Sequence, residues 1–167
     1  MAERNPYAPP QAEVRDAAPD DAGELASRSQ RFVGAFLDTI IESIVTLPFA
    51  LYTNYWQDVI AGTVGYATAY GLSAVGFAVF VAMNGYLLAK RGQTIGKVIV
   101  GTRIVDVADG RVPKLVRSLG VRYGTIWLVS LIPFVGGFLS LLDALVIFRR
   151  DRRCLHDLIA GTKVVKV

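Results

Sequence analysis

Residues 123–148 read YGTIWLVSLIPFVGGFLSLLDALVIF, a run of 26 residues whose only charge is Asp143. As one straight helix it would rise about 39 Å, more than the roughly 30 Å hydrocarbon core of a bilayer, so a single crossing is open to it. Its centre, Ile132-Pro133-Phe134-Val135-Gly136-Gly137, is the strongest helix breaker in the chain, because proline has no N–H to donate and two glycines follow it. The flanking charges decide between the two forms. Lys90 to Arg122 carries eight basic residues, Lys90, Arg91, Lys97, Arg103, Arg111, Lys114, Arg117 and Arg122, against Asp106 and Asp109, and the tail after Phe148 carries six, Arg149, Arg150, Arg152, Arg153, Lys163 and Lys166. One plain crossing would put these groups on opposite sides, against the tendency of Lys and Arg to stay in the cytoplasm. A hairpin of two short helices, about 118–133 and 136–149, brings the chain back to the side it left. Its cost is geometric: halves of about 13 residues reach only about 20 Å, so the hairpin is re-entrant or thins the bilayer.

A second pattern points the same way. IVGTRIVDV at 99–107 and IAGTKVVKV at 159–167 agree at Ile, Gly, Thr and two valines, with Arg103 opposite Lys163. Two strand-like copies can pair only on one side of a membrane. The first is rich in β-branched residues and is followed by Asp109-Gly110, a turn signal, so a short strand or hairpin over 98–107 is expected inside a cytoplasmic loop, 91–117.

Two further apolar runs, Phe32 to Thr53 and Val59 to Ala89, bring the apolar total to 79 of 167 residues. Charged residues make up 19% of the chain, below the roughly 25% of a soluble domain. Helices are expected over about 29–53 and 62–90, the first kinked but not stopped by Pro48. Tyr52, Tyr55 and Trp56 beside Asp58 resemble an aromatic belt, and no Lys or Arg lies between Arg31 and Lys90, so this turn should face outward. The second run exceeds one crossing, so its first residues lie in the interface or the helix tilts. Ala61, Gly65, Ala69 and Ser73 recur every fourth residue, a spacing that lets another helix approach closely. The fold class is an all-α membrane protein: a small transmembrane helix bundle of two full spans plus the Pro/Gly-broken hairpin, with a short cytoplasmic β element. Residues 1–27, with four prolines, read as a disordered cytoplasmic tail without a cleavable signal; 28–167 form the membrane domain, of which 150–167 is an interfacial segment.

Asp38, Glu42 and Asp143 lie inside apolar spans, where an ionised carboxylate costs about 2.5 to 3.5 kcal/mol. Arg31, Ala35, Asp38 and Glu42 share one helical stripe. They form either a proton or cation relay or a buried ion-pair network with Arg31, Arg122 or the C-terminal arginines; Arg31 and Asp38 are expected to be near neighbours or to share a partner. In RRDRRCLHDLIAGT the basic cluster suits anionic headgroups. Leu155, Leu158 and Ile159 give a short interfacial helix an apolar face, Asp157 is expected on or near its polar side, and His156 reads as a solvated turn residue. The hairpin returns Asp157 to the side where Arg31 enters, so it should latch onto Arg28, Arg31 or a base of the central loop.

Several chemistries are excluded. GQTIGK at 92–97 has three residues between its glycines and Val98 after the lysine, so it fails the phosphate-loop pattern. There is no dinucleotide fingerprint, no serine with a plausible base, and one Cys and one His cannot build a conventional zinc site. The chain is expected to be no enzyme and to hold no metal or cofactor. Its net charge of +4 flanks apolar spans, which argues against nucleic acid and for lipid headgroups.

The segments RFVGAFLDTII, GQTIGKVIVGTRIVDVADG and RRCLHDLIAGTKVV together resemble the RDD family of small bacterial membrane proteins, over about 28–167. The family is named for an arginine and two aspartates, which by matching position are Arg31, Asp38 and Asp157; Glu42 and Asp143 have no place in that pattern. The resemblance implies a multi-pass protein of the bacterial cytoplasmic membrane, with transport proposed and cation/proton exchange suggested for some members. Two classes of function follow. One is a component of small-solute or cation/proton transport, using the buried acids of the first helix and needing a homo-oligomer or a partner membrane protein to enclose a pathway. The other is a non-transporting adaptor or assembly factor whose basic cytoplasmic face binds a partner protein or anionic lipid.

Overall fold

The computed structural model describes residues 23–167. The expected tail therefore falls mostly outside the described residues, but its last five do not behave as a tail. Leu25 bridges Val165, Ala26 is buried, and Ser27 caps the first helix in a reciprocal pair with Gln30. That capping box satisfies two otherwise orphaned donors and starts α1, Arg28–Tyr52, which runs through Pro48 without stopping.

The second apolar run divides. A short α2, Tyr55–Ala61, ends at the left-handed Gly62, and α3, Tyr66–Arg91, begins four residues later than the pattern suggests after Gly65 as its N-cap. Ala61 and Gly65 therefore lie outside the long helix, and a side chain at Gly65 would meet nothing within 4 Å. The expected stripe of small residues does not form one packing face; only Ala69 and Ser73 are half-buried. Both long helices carry their apolar side chains outward, with Phe36, Ile44, Leu47, Phe49 and Tyr66 exposed. A helix apolar on its outside is solvated by lipid rather than water, and this is an all-α membrane protein.

After Gly92 the chain forms α4, Ile95–Ile99, then β1, Thr102–Asp106. The strand is shorter than 98–107 because residues 95–99 are helical. A turn through Asp109-Gly110 follows, closed by the Gly110 N–H on the Asp106 carbonyl, but it leads to no second strand. β1 instead pairs antiparallel with β2, Thr162–Lys166, placing Ile104 opposite Val164. The echo in sequence is larger than the strands. Thr94 and Cys154 are the N-caps of α4 and of α7, Leu155–Ala160, and Gly101 and Gly161 each follow in a left-handed conformation before a strand that starts with buried Thr102 or Thr162. The two helix–glycine–strand units are thus related by a pseudo-two-fold axis through the Ile104–Val164 pair. Around it lies the core: Ala26, Phe80, Leu88, Ile104 and Val164.

Residues 116–148 form the hairpin. A wide π-type helix, Val116–Tyr123, continues into α5, Gly124–Ser130; after a turn, α6, Gly136–Leu145, ends in a 3₁₀ turn, Val146–Phe148. Phe134 stands fully exposed at the tip with a positive φ, and at Gly136 a Cβ would lie 2.6 Å from the Val129 carbonyl oxygen, so only glycine lets the arms close. Arg122, in the first turns of the hairpin, and Phe148, at its end, contact the first turns of α7 and α1 respectively. The start of α1, the end of α3, the sheet, α7 and both hairpin ends therefore share one end of the molecule, called proximal below.

Candidate functional site

Asp157 is completely buried at the proximal end. As the third residue of α7 it accepts the Cys154 backbone N–H at 3.1 Å, closing the cap of its own helix. The Arg122 Nε donates to the same carboxylate at 2.8 Å, and the Arg31 guanidinium makes a second, short contact. Burial alone would raise this carboxyl; Arg122, His156 and Arg31 outweigh it and hold it well below the usual carboxylate range. Asp157 thus lies in the interior rather than on the polar side of a surface helix, and it reaches both α1 and the hairpin. Arg31 also donates to the Arg152 carbonyl at 2.5 Å and to the Cys154 sulfur at 3.3 Å. Arg152 and Arg153 turn inward as well, onto the carbonyls of Leu25, Ala26, Thr162 and Asp157, so half of the basic cluster expected at headgroups is spent on the fold.

Asp38 does not meet Arg31. Two turns along α1, its carboxylate accepts from Thr94 Oγ1 at 2.5 Å and from the Gly96 N–H at 2.7 Å. Asn84 accepts the Ile95 N–H at 3.0 Å and Thr94 Oγ1 takes that of Lys97. The first three donors of α4 are each satisfied, two of them by side chains of the long helices. A carboxylate at a helix N-terminus also meets the positive end of the dipole. The contact demands close approach: a Cβ at Gly96 would lie 2.1 Å from the Gly34 carbonyl oxygen. GQTIGK is the seat of a carboxylate from α1.

Glu42, one turn further, has no hydrogen-bond partner on its carboxylate among the described residues. It lines two cavities of about 500 Å³ each, sharing Thr39, Glu42, Ser73 and Gly76; one extends past Thr46 to Tyr55 and Trp56, the other past Asp38 to Lys97 and Tyr123. A third, of about 580 Å³, shares Ala35, Lys97 and Tyr123 with the second and opens among Arg28, Arg31 and Arg122. The three follow one face of α1 from Arg31 to Ala50, about 28 Å of helix. Trp127 closes the middle cavity, stacking on Phe77 at 4.7 Å and donating to Ser73 Oγ at 3.0 Å.

Asp143 accepts the His156 backbone N–H at 2.7 Å and lies 2.5 Å from its Nδ1. Burial and the Arg122 charge push the imidazole below its ordinary value, and the Asp143 carboxylate, an acceptor, faces Nδ1. His156 therefore fastens the hairpin to α7, rather than standing in solvent. Cys154, His156 and Asp157 bring ligand atoms within 4.8 Å of one another, but they do not suit a cation. Two guanidiniums already hold Asp157, and burial pushes the Cys154 thiol up to about 11, away from the thiolate a metal needs.

Residues 25–161 match the model of the RDD family. The protein belongs to that family. No curated protein and no solved structure matches the chain. In this RDD protein Arg31 and Asp157 share one buried ion set, while Asp38 serves α4 separately. Arg122, raised from sequence only as one of several partners, completes that set; Thr94, Gly96 and Asn84 carried no signal beyond one polar residue in an otherwise apolar helix.

Proposed function

We propose that the protein crosses the bacterial cytoplasmic membrane several times with both termini in the cytoplasm, and carries protons along the series of cavities beside α1, alone or coupled to a small solute. Glu42 is the group that takes up and releases the proton. The observation that supports this best is the series of three cavities with Glu42 lining two of them. Asp38 and Asp157 are fixed by two or more donors each, whereas Glu42 can change protonation without unmaking a cap or an ion set. The proximal end also holds the basic loop and tail, in keeping with a cytoplasmic position.

The test is proton flux into vesicles holding purified protein alone, read by an entrapped pH dye under an imposed potential. The expected result is flux well above protein-free vesicles, about 100-fold lower in Glu42→Gln, the lower end of what a positioned acid–base group contributes, and partly kept in Glu42→Asp. A wild-type rate equal to that of empty vesicles would overturn the reading and favour the adaptor.

A further inference from the structure

The proximal cavity has a chemistry that proton carriage does not use. Of the four cations on its wall, Arg31 and Arg122 are taken by Asp157, but Arg28 and Lys97 make no ion pair among the described residues. Neutral groups hold both instead. The Arg28 guanidinium lies 5.6 Å from the centre of the Phe148 ring and donates to the Ile147, Phe148 and Arg149 carbonyls; the Lys97 ammonium donates to the Tyr123 hydroxyl at 3.2 Å and to Thr94 Oγ1 at 3.5 Å. Five N–H donors on the one and three on the other leave some of each to spare. The one carboxylate on the wall, Asp143, is occupied by His156.

The remaining wall is mostly apolar. Phe32 and Phe148, which line it, keep 69% and 67% of their surface uncovered, on the flank where α1 meets the end of the hairpin. A ligand that fits must therefore combine an anionic head with an apolar chain leaving laterally. We infer that this cavity holds the headgroup of one anionic phospholipid, its phosphate between Arg28 and Lys97 and a chain running out past Phe32 and Phe148. Phosphate oxygens accept several charge-assisted bonds at once, and basic pockets between membrane helices suit anionic headgroups. A zwitterionic headgroup would bring its own cation against the two unpaired ones. Because Arg28 and Phe148 lie on α1 and the hairpin, the lipid would also clamp these two elements together. The inference rests on the membrane assignment and not on proton carriage.

Native mass spectrometry of the full chain released from detergent, with phosphatidylglycerol and phosphatidylcholine at equal concentration, tests it. One phosphatidylglycerol per chain is expected, retained at least about tenfold over phosphatidylcholine, a preference of about 1.4 kcal/mol. Arg28→Gln with Lys97→Gln should abolish the preference, while Arg150→Gln with Lys163→Gln, outside the cavity, should leave it. Equal retention of the two lipids by the wild-type chain would overturn the assignment, whatever the variants do. So would a preference that survives at Arg28 and Lys97 but is lost at the surface pair. Displacement by millimolar glycerol phosphate would overturn the lipid and give the cavity to a soluble organic phosphate.

Discussion

Asp157 carries two guanidiniums on one carboxylate sealed from water, and removing one member of such a set leaves the others charged and unpaired. Asp157→Asn should cost about 3–5 kcal/mol by analogy with buried pairs. The pairing also fixes a pH window. The folded carboxyl lies below its usual value, so this stability is fully present above the unfolded pKa of about 4 and is lost only as pH falls further toward the folded value. The Asp157 contribution to docking of α7 should hold unchanged from pH 8 to about pH 4.5, whereas His156, lowered in the fold, gives up stability as pH falls below its unfolded value of about 6.5. Cys154, the single cysteine, reports the docking. With its thiol pushed up to about 11 by burial, alkylation at pH 8 should be at least about 100-fold slower than for a free thiol of pKa near 8.5, and Asp157→Asn should speed it. Fast labelling of the wild type would contradict this. That Asp157 would reach α1 was legible, because charge asymmetry fixed the return of the chain. The partner of Asp38 was not. Seven residues put Arg31 and Asp38 on one stripe but about 10 Å apart along it, so each takes its partner from whatever element packs at its own level, and α4 could not be anticipated in a segment that reads as strand.

At the scale of elements, the break at Pro133–Gly137 and the echo at 99–107 and 159–167 were both readable, since each depends on local chemistry: a missing donor, two glycines, and β-branched residues repeated. The length of the strands and the place of helix packing were not, since they depend on which surfaces meet. The close approach is α1 on α4 through Gly34 and Gly96, rather than the Ala61–Ser73 spacing. Gly96→Ala would drive a methyl into backbone, and should cost at least about 2 kcal/mol. Gly34→Ala meets only a Val100 methyl at 3.1 Å and should cost clearly less. Gly65→Ala, facing open space, should cost about 0.5 kcal/mol or less. Thermal unfolding of the three in detergent checks the order, and equal effects at Gly65 and Gly96 would return the packing face to the sequence pattern.

The whole molecule divides its charges between frame and interior. At the proximal end, Arg31, Arg122 and Asp157 bind α1, the hairpin and α7 together, while Asp38 binds α4; further along α1, Glu42 has no fixed partner among the described residues. The topology proposed for the membrane predicts that cysteines at Lys114, Arg150 and Lys163, on a Cys154→Ser background, label only from the cytoplasm and one at Gln57 only from outside; external labelling at Lys163 would restore three plain crossings. The division of labour itself is tested most directly by melting curves of Glu42→Gln and Asp157→Asn recorded side by side. A frame residue costs stability when removed, whereas a working acid held in an apolar span costs little or returns some. The account predicts Glu42→Gln within about 2 °C of the wild type or above it, and Asp157→Asn lower by roughly 6–20 °C, given about 2–4 °C per kcal/mol at this size. Glu42→Gln melting as low as Asp157→Asn would contradict it, and would make Glu42 another strut.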